Sequence, residues 1–214
     1  MECYYDKYLK YKKKYDKIKN QLYGGFKDNI WIENDFFSNF DIIRNYCMQL
    51  DGMLKVDSRS NDRHTLCLDP INHSLIYDAI YDDPKLINYI GKISNSKFKS
   101  RPSYPIEYRK YFTGSKGMQW HRDTSLFNPD CFEIVLTIEN TSDSKFLYNF
   151  IDTKELTPSP NTLVIVRPNT VFHKVTEVTK GYRTILKFVI EFLDDDDNNF
   201  KKPEFDSELD SCPF

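Results

Sequence analysis

From residue 105 onward the chain alternates apolar and polar side chains with a period of two, and short clusters of Asn, Ser, Asp, Pro and Gly interrupt the alternation. Period two is the signature of strands with one face buried, and the interruptions keep those strands short. The pattern predicts strands over 106–112, 118–124, 131–139, 145–150, 161–167, 171–175 and 183–192. Turn-rich segments such as Asn140-Thr141-Ser142-Asp143 and Pro158-Ser159-Pro160-Asn161 divide them. So many short strands with such breaks close into a sandwich or a barrel. The part before residue 105 follows a different pattern. A strand over 29–33 leads into a helix carrying Phe40, Ile43, Tyr46, Cys47 and Leu50, and a second helical stretch over 74–93 is interrupted at Asp82-Asp83-Pro84. Helices first and strands later predict an α+β chain with helices packed on one face of a barrel, not an alternating βαβ sheet.

The last strand shows what its two faces are for. Tyr182, Thr184, Leu186, Phe188, Ile190 and Phe192 make one face that is mostly apolar, whereas Arg183, Ile185, Lys187, Val189 and Glu191 make a mixed face. A mixed face suits a wet cleft better than a dry core. Two of only four histidines belong to the same region. In Gln119-Trp120-His121-Arg122-Asp123-Thr124 an extended backbone aims His121 and Asp123 to one side. With His173 from a later strand they make a 2-His-1-carboxylate set that leaves other coordination positions open, as non-haem Fe(II) sites require. Arg183, ten residues after His173, offers a planar guanidinium that can grip a carboxylate in two-pronged fashion. Lys187 on the same face is a candidate second anion contact, or a lysine snorkelling at the barrel mouth. Trp120 points away from His121 and is expected in the core. His64 and His73 lie in polar sequence and are expected to be solvated.

The order His-x-Asp, then about fifty residues, then His, then ten residues to a basic residue opening an apolar strand resembles the Fe(II)/2-oxoglutarate dioxygenases, in particular the prolyl-4-hydroxylase-like branch. Tyr111, ten residues before His121, resembles the family tyrosine that helps to hold 2-oxoglutarate. The opening Ile30-Trp31-Ile32-Glu33-Asn34-Asp35-Phe36-Phe37 resembles that branch's strand leading into a phenylalanine-rich helix, and the likeness covers residues 29 to 192. It implies a double-stranded β-helix, or jelly roll. It also implies Fe(II) on His121, Asp123 and His173, and 2-oxoglutarate held by Arg183 with Tyr111 and Lys187 as candidate contacts. O2 would be the second co-substrate and ascorbate a candidate reductant. The implied reaction hydroxylates a side chain, prolyl or lysyl, in a protein or peptide, with release of succinate and CO2. One departure is plain: Ser144-Lys145-Phe146-Leu147 stands where that branch usually has a Gly-Gly-Glu-Leu-like segment.

Other readings are narrower. His121-Arg122-Asp123 with Asn128 matches the kinase catalytic-loop string, but no Gly-rich loop precedes it and no Asp-Phe-Gly follows it. A jelly-roll binding or virion protein with an idle metal site would share the fold. A nucleic-acid oxidative demethylase would share the chemistry, but a net charge of −2 with no concentrated basic face argues against it. The 214 residues divide into a lysine- and tyrosine-rich helical extension over 1–25, the oxygenase-like domain over 26–193 and an acidic tail over 194–214. The extension carries a heptad-like seam of Tyr4, Tyr8, Tyr11, Tyr15, Ile18 and Leu22, which offers a route to self-association. Its ending in Gly24-Gly25 resembles the openings of proteins from giant DNA viruses. Five scattered cysteines without a Cys-x-x-Cys suit a reducing compartment. No apolar run nears the roughly 18 residues of a membrane span, and the opening is unlike a secretory signal. The cytoplasm is therefore the expected location, that of a host or the virion if the chain is viral.

Overall fold

The structure, a computed structural model, describes residues 29–94, 96–123, 131–149 and 152–193. The expected N-terminal helix and its seam, the acidic tail, Thr124 and Asn128 lie outside the described residues.

Among the described residues, eleven strands and three α-helices follow one another as β1 (Ile30–Glu33), α1 (Phe40–Gln49), β2 (Lys55–Asp57), β3 (Ser60–Leu68), α2 (Ser74–Tyr81), α3 (Pro84–Ser94), β4 (Ile106–Phe112), β5 (Met118–His121), β6 (Cys131–Asn140), β7 (Phe146–Asn149), β8 (Thr153–Leu156), β9 (Leu163–Val166), β10 (His173–Val175) and β11 (Tyr182–Glu191). All strand pairings are antiparallel. They make a seven-stranded sheet in the order β1-β9-β6-β11-β4-β3-β2 and a four-stranded sheet in the order β5-β10-β7-β8. This is the expected jelly roll, with helices added to the outside of its larger sheet.

Periodicity explains which residues go where. Ile43 and Cys47 of α1, and Ile76, Tyr77, Ile80 and Tyr81 of α2, recur at helical spacing and are buried. Pro84 opens α3, and the Asp83 Oδ1 accepts the Leu86 N–H at 2.9 Å, so cap and proline together fix where that helix starts. These helices cover Tyr108, Ile134, Leu136, Leu186, Phe188 and Ile190, one face of the large sheet. The other face looks toward the small sheet across a thinner cluster of Phe146, Val164, Val166 and Val171. The alternation along β11 is therefore a division between a dry helical side and the space between the sheets.

The structure departs from expectation in places. Residues 55–68 form the hairpin of β2 and β3, which sequence patterning did not reveal, because one side of it carries charge instead of apolar groups. There Asp57 accepts hydrogen bonds from Arg59, Arg63 and Thr65. Burial alone would raise the Asp57 carboxyl, but these bonds hold it well below the usual carboxylate range. His64 accordingly sits on a strand, half-buried and edge-on to Phe112 at 5.0 Å, instead of in a loop, whereas His73 lies half-exposed in the turn before α2, where its ring meets the Tyr46 hydroxyl at 2.8 Å. β8 was also missed, and β5 ends at His121 instead of reaching 124. Cys67 is disulfide-bonded, which departs from the expectation of reduced thiols, whereas Cys47 is a buried free thiol. Among the described residues no helix is long and apolar enough to cross a membrane.

Asn161 ties the segment between β1 and α1 to the β8–β9 turn. It has φ +65°, its Oδ1 accepts the Phe37 N–H and its Nδ2 donates to the Phe37 carbonyl, both at 2.9 Å, inside the protein. Alanine there would orphan two buried backbone groups at a left-handed position. Asn161→Ala should lower unfolding free energy by about 2–4 kcal/mol in urea titration; a loss under about 0.5 kcal/mol, the size of a neutral surface change, would contradict the role.

Candidate metal site

Strand register builds the site. β10 pairs with β5 so that His173 lies directly opposite His121, and the two imidazoles face each other with ring centroids 4.4 Å apart. Asp123 follows just past the end of β5, where its carbonyl accepts the Asn169 N–H at 2.7 Å. Its Oδ1 then lies 3.6 Å from the His121 Nε2 and its Oδ2 3.4 Å from the His173 Nε2. The turn before β5 presses closely on β10: Gly117 has φ +71°, and a Cβ there would lie 2.3 Å from the Val175 carbonyl oxygen. Glycine is what lets the two histidine strands come together.

Both rings are oriented by their own backbone. The His121 Nδ1 meets the Gln119 carbonyl at 2.7 Å and the His173 Nδ1 meets the Val171 carbonyl at 3.0 Å. An N–H at each Nδ1 leaves each Nε2 as the lone-pair donor, the usual outer support of a metal-binding imidazole. The His121 Nε2 is buried without a hydrogen-bond partner. An ion bound at about 2.1 Å to each donor wants neighbouring donors about 3 Å apart, so separations of 3.4 and 3.6 Å need only slight closure. The donor set and its orphaned nitrogen fit a divalent metal, with one face of the ion left open.

Electrostatics agree with ligation by a carboxylate and two imidazoles. Burial opposes ionisation of Asp123, but the His121 imidazole 3.6 Å away and the charges of Lys187 and the histidines outweigh it and bring the carboxyl down to about 2. The nearby Asp123 carboxylate in turn raises His121 above an ordinary histidine. Burial pushes His173 below one, against the pull of Asp123. The carboxylate is therefore ionised at any physiological pH and His173 stays neutral.

The large sheet supplies the opposite wall. Arg183 and Tyr111 are cross-strand partners on β11 and β4, both buried, with the guanidinium 5.1 Å over the tyrosine ring. The Arg183 Nε has no hydrogen-bond partner, and among the described residues no carboxylate lies within ion-pair distance of this group. Burial would raise the Tyr111 hydroxyl, yet the guanidiniums of Arg109, Arg183 and Arg63 draw it below the ordinary value. Lys187 is ion-paired with Glu133 at 2.8 Å. Arg109, Tyr111, Glu133, Arg183 and Lys187 line a cavity of ≈ 80 Å³ that also reaches His121, Asp123 and His173, with Val164, Val166 and Phe146 as its apolar lining. That is room for several water molecules or a small acid.

All six residues singled out from the sequence thus line one cavity. Trp120 differs from expectation: it lies half-buried and stacked on Phe172 at 5.3 Å, outside the core. Ser144, in the segment lacking glycine, is buried and donates to the Thr176 carbonyl at 2.8 Å. Arg109, Glu133 and Thr137 were missed, although each stands an even number of residues from another cavity-facing position, which was the available signal.

No protein-family model matches the sequence, and no curated protein matches it. Solved structures do share its fold. A prolyl-4-hydroxylase from Pseudomonas putida aligns at 16% identity and TM-score 0.59 over 77% of this chain and 92% of its own. A prolyl hydroxylase from Trichoplax adhaerens, in complex with a hypoxia-inducible-factor oxygen degradation domain peptide, aligns at 12% and 0.60 over 84% and 91%. HygX from Streptomyces hygroscopicus, with nickel and 2-oxoglutarate bound, aligns at 11% and 0.59 over 81% and 86%. The fold is therefore the double-stranded β-helix found in 2-oxoglutarate oxygenases.

Metal must compete with protons for the histidines, so pH reports on the site. As pH falls, His121 should take up a proton at a pH above the usual ~6.5 of histidine and His173 at one below it. Mn(II) affinity measured by calorimetry from pH 8 to 5 should fall in two stages, and His121→Ala or Asp123→Ala should abolish binding at micromolar metal. A flat profile would exclude these ligands.

Proposed function

We propose that the protein is an Fe(II)- and 2-oxoglutarate-dependent oxygenase that hydroxylates a prolyl or lysyl side chain of a protein or peptide. The observation that carries this reading is the facing of the His121, Asp123 and His173 set by a buried, uncompensated Arg183 across one small cavity.

Iron held by His121, Asp123 and His173 would supply the O2 chemistry, with 2-oxoglutarate as the electron donor that becomes succinate and CO2. The chain's own contribution is placement. Arg183 and the Tyr111 hydroxyl anchor the far carboxylate of the co-substrate by charge-assisted hydrogen bonds, which fixes how deep the molecule sits. Lys187 offers positive charge to the near end, balanced by Glu133 when the site is empty. Val164, Val166 and Phe146 exclude water from the space between. The backbone carbonyls of Gln119 and Val171 keep both imidazoles turned to the metal.

The choice of a peptide substrate draws on the Trichoplax enzyme, whose complex holds a peptide. HygX, with hygromycin B bound, has the same fold. Fold therefore leaves the substrate to the loops, as usual for a shared scaffold.

Aerobic incubation with Fe(II), ascorbate and 2-oxoglutarate should yield succinate, and His121→Ala should yield none. Arg183→Met should raise KM for 2-oxoglutarate by roughly tenfold or more, the loss of a two-pronged charged bond, with less effect on kcat. Mass spectrometry of a peptide library should show the gain of one oxygen on proline or lysine. Metal binding without any succinate would instead favour a jelly roll used for binding.

A further inference from the structure

Arg109 has no part in the reading above, yet its position is unusual. It stands two residues before Tyr111 on β4, so both side chains turn to the same face and both line the cavity. Its cross-strand neighbour on β11 is Ile185, two residues from Arg183. The side chain is 7% exposed. Burying a guanidinium is costly unless its donors are matched, and an apolar residue would avoid that cost. Here the match is incomplete: Glu107 takes one end of the group, while the Nε is buried without a partner. The Arg183 Nε is in the same condition. Two buried guanidiniums therefore flank Tyr111, each with a donor unused.

Behind Arg109 runs a chain of ion pairs that leaves the cavity altogether. Glu107 also accepts from Arg59 at 3.1 Å. Arg59 forks onto Asp57 through two hydrogen bonds of 2.9 Å, and Asp57 accepts from the Arg63 Nε at 2.7 Å and the Thr65 hydroxyl at 2.9 Å. Arg59, Arg63, Arg109 and Arg183 thus have only Asp57 and Glu107 as carboxylate partners in these pairs. The excess is positive, and Arg109, Arg183 and Arg63 all act on Tyr111, which lines the cavity. In a poorly screened interior such an excess favours an anion strongly.

We propose that Arg109 is a second anchor for the anionic end of the dicarboxylate co-substrate, held in place from outside the cavity by the β2–β3 hairpin through Glu107, Arg59 and Asp57. This rests on the oxygenase reading and adds to it a residue and a remote support. Arg109 and Arg183 approach one carboxylate from two strands, so the end of the cavity selects a second carboxylate more strictly than one guanidinium would. Asp57 is then a positioning residue, since it acts only through Arg59 and Glu107.

The test uses the full chain, loaded with Mn(II), and glutarate, a dicarboxylate without the keto group, so that anion binding is read apart from metal chelation. Calorimetry should show that Arg109→Met weakens glutarate by roughly tenfold or more while Mn(II) affinity is unchanged. Arg109→Lys, which keeps the charge and loses the fork, should fall between. Asp57→Asn should weaken glutarate severalfold, again without loss of metal. Should Arg109→Met fail to fold, Arg109→Lys and the pair Arg109→Met with Glu107→Gln, which removes the stranded acid, carry the measurement. Glutarate binding at wild-type strength in the Arg109 variants overturns the anchor, and wild-type binding in Asp57→Asn overturns the support from the hairpin. Wild-type protein that takes Mn(II) but neither glutarate nor 2-oxoglutarate defeats the oxygenase reading itself, a result distinct from both.

Discussion

The pairing of His173 with His121 across β10 and β5 is the constraint on which the rest of the site depends. These two strands are short, and a one-residue slip in an antiparallel pair turns a side chain to the opposite face of the sheet. One imidazole would then leave the cavity. Several features hold the register. Gly117 allows the turn before β5 to touch the Val175 carbonyl, and Trp120 stacks on Phe172 on the outer face of the same pair. The Asn169 N–H bonded to the Asp123 carbonyl fixes the carboxylate relative to the strand that follows. Apolar packing, backbone conformation and one hydrogen bond thus converge on the placement of three donor atoms.

The two sheets divide the chemistry between them. The small sheet presents ligands for a cation, and the large sheet presents Arg183, Arg109 and Lys187, which suit an anion. Charges of such density can face one small cavity because most are balanced locally, Lys187 by Glu133 and Arg109 by Glu107. Arg183 departs from that pattern: among the described residues no carboxylate pairs with it, and Tyr111 lies against it. A buried cation without a counter-charge costs stability, and its retention is most economically explained by a ligand that brings the missing charge.

The sequence revealed the fold class and the cavity-facing side of β11 because both follow from period two with apolar residues on one face. His121 with Asp123, and Arg183 with Lys187, were legible for a related reason, since a spacing of two or four places each pair on one side of a strand, whereas Tyr111 and His173 were picked out through the interval pattern that the family resemblance supplied. The β2–β3 hairpin was not legible. Its order comes from Asp57 bonded to Arg59, Arg63 and Thr65, and hydrophobic patterning does not register charged partners. Arg109 was overlooked for the same reason, since a charged residue in mid-strand reads as solvent-facing until its neighbour Glu107 is seen buried beside it. Trp120 shows the converse error: a large aromatic was assigned to the core, whereas alternation on a strand whose inner face carries ligands sends it to the outer face of a thin sheet.

That asymmetry also says where sequence can vary without losing the chemistry. The helices pack on the face of the large sheet away from the cavity, through Tyr108, Leu186 and Phe188, and no side chain of α1, α2 or α3 lines the cavity. Their substitution acts on the site only by tilting strands that are held on both sides by hydrogen-bonded neighbours, β11 between β6 and β4. Solved structures with 11 to 16% identity share this fold at TM-scores near 0.6. What must be kept is small: two register points, one carboxylate past a strand end, and one guanidinium without a carboxylate of its own.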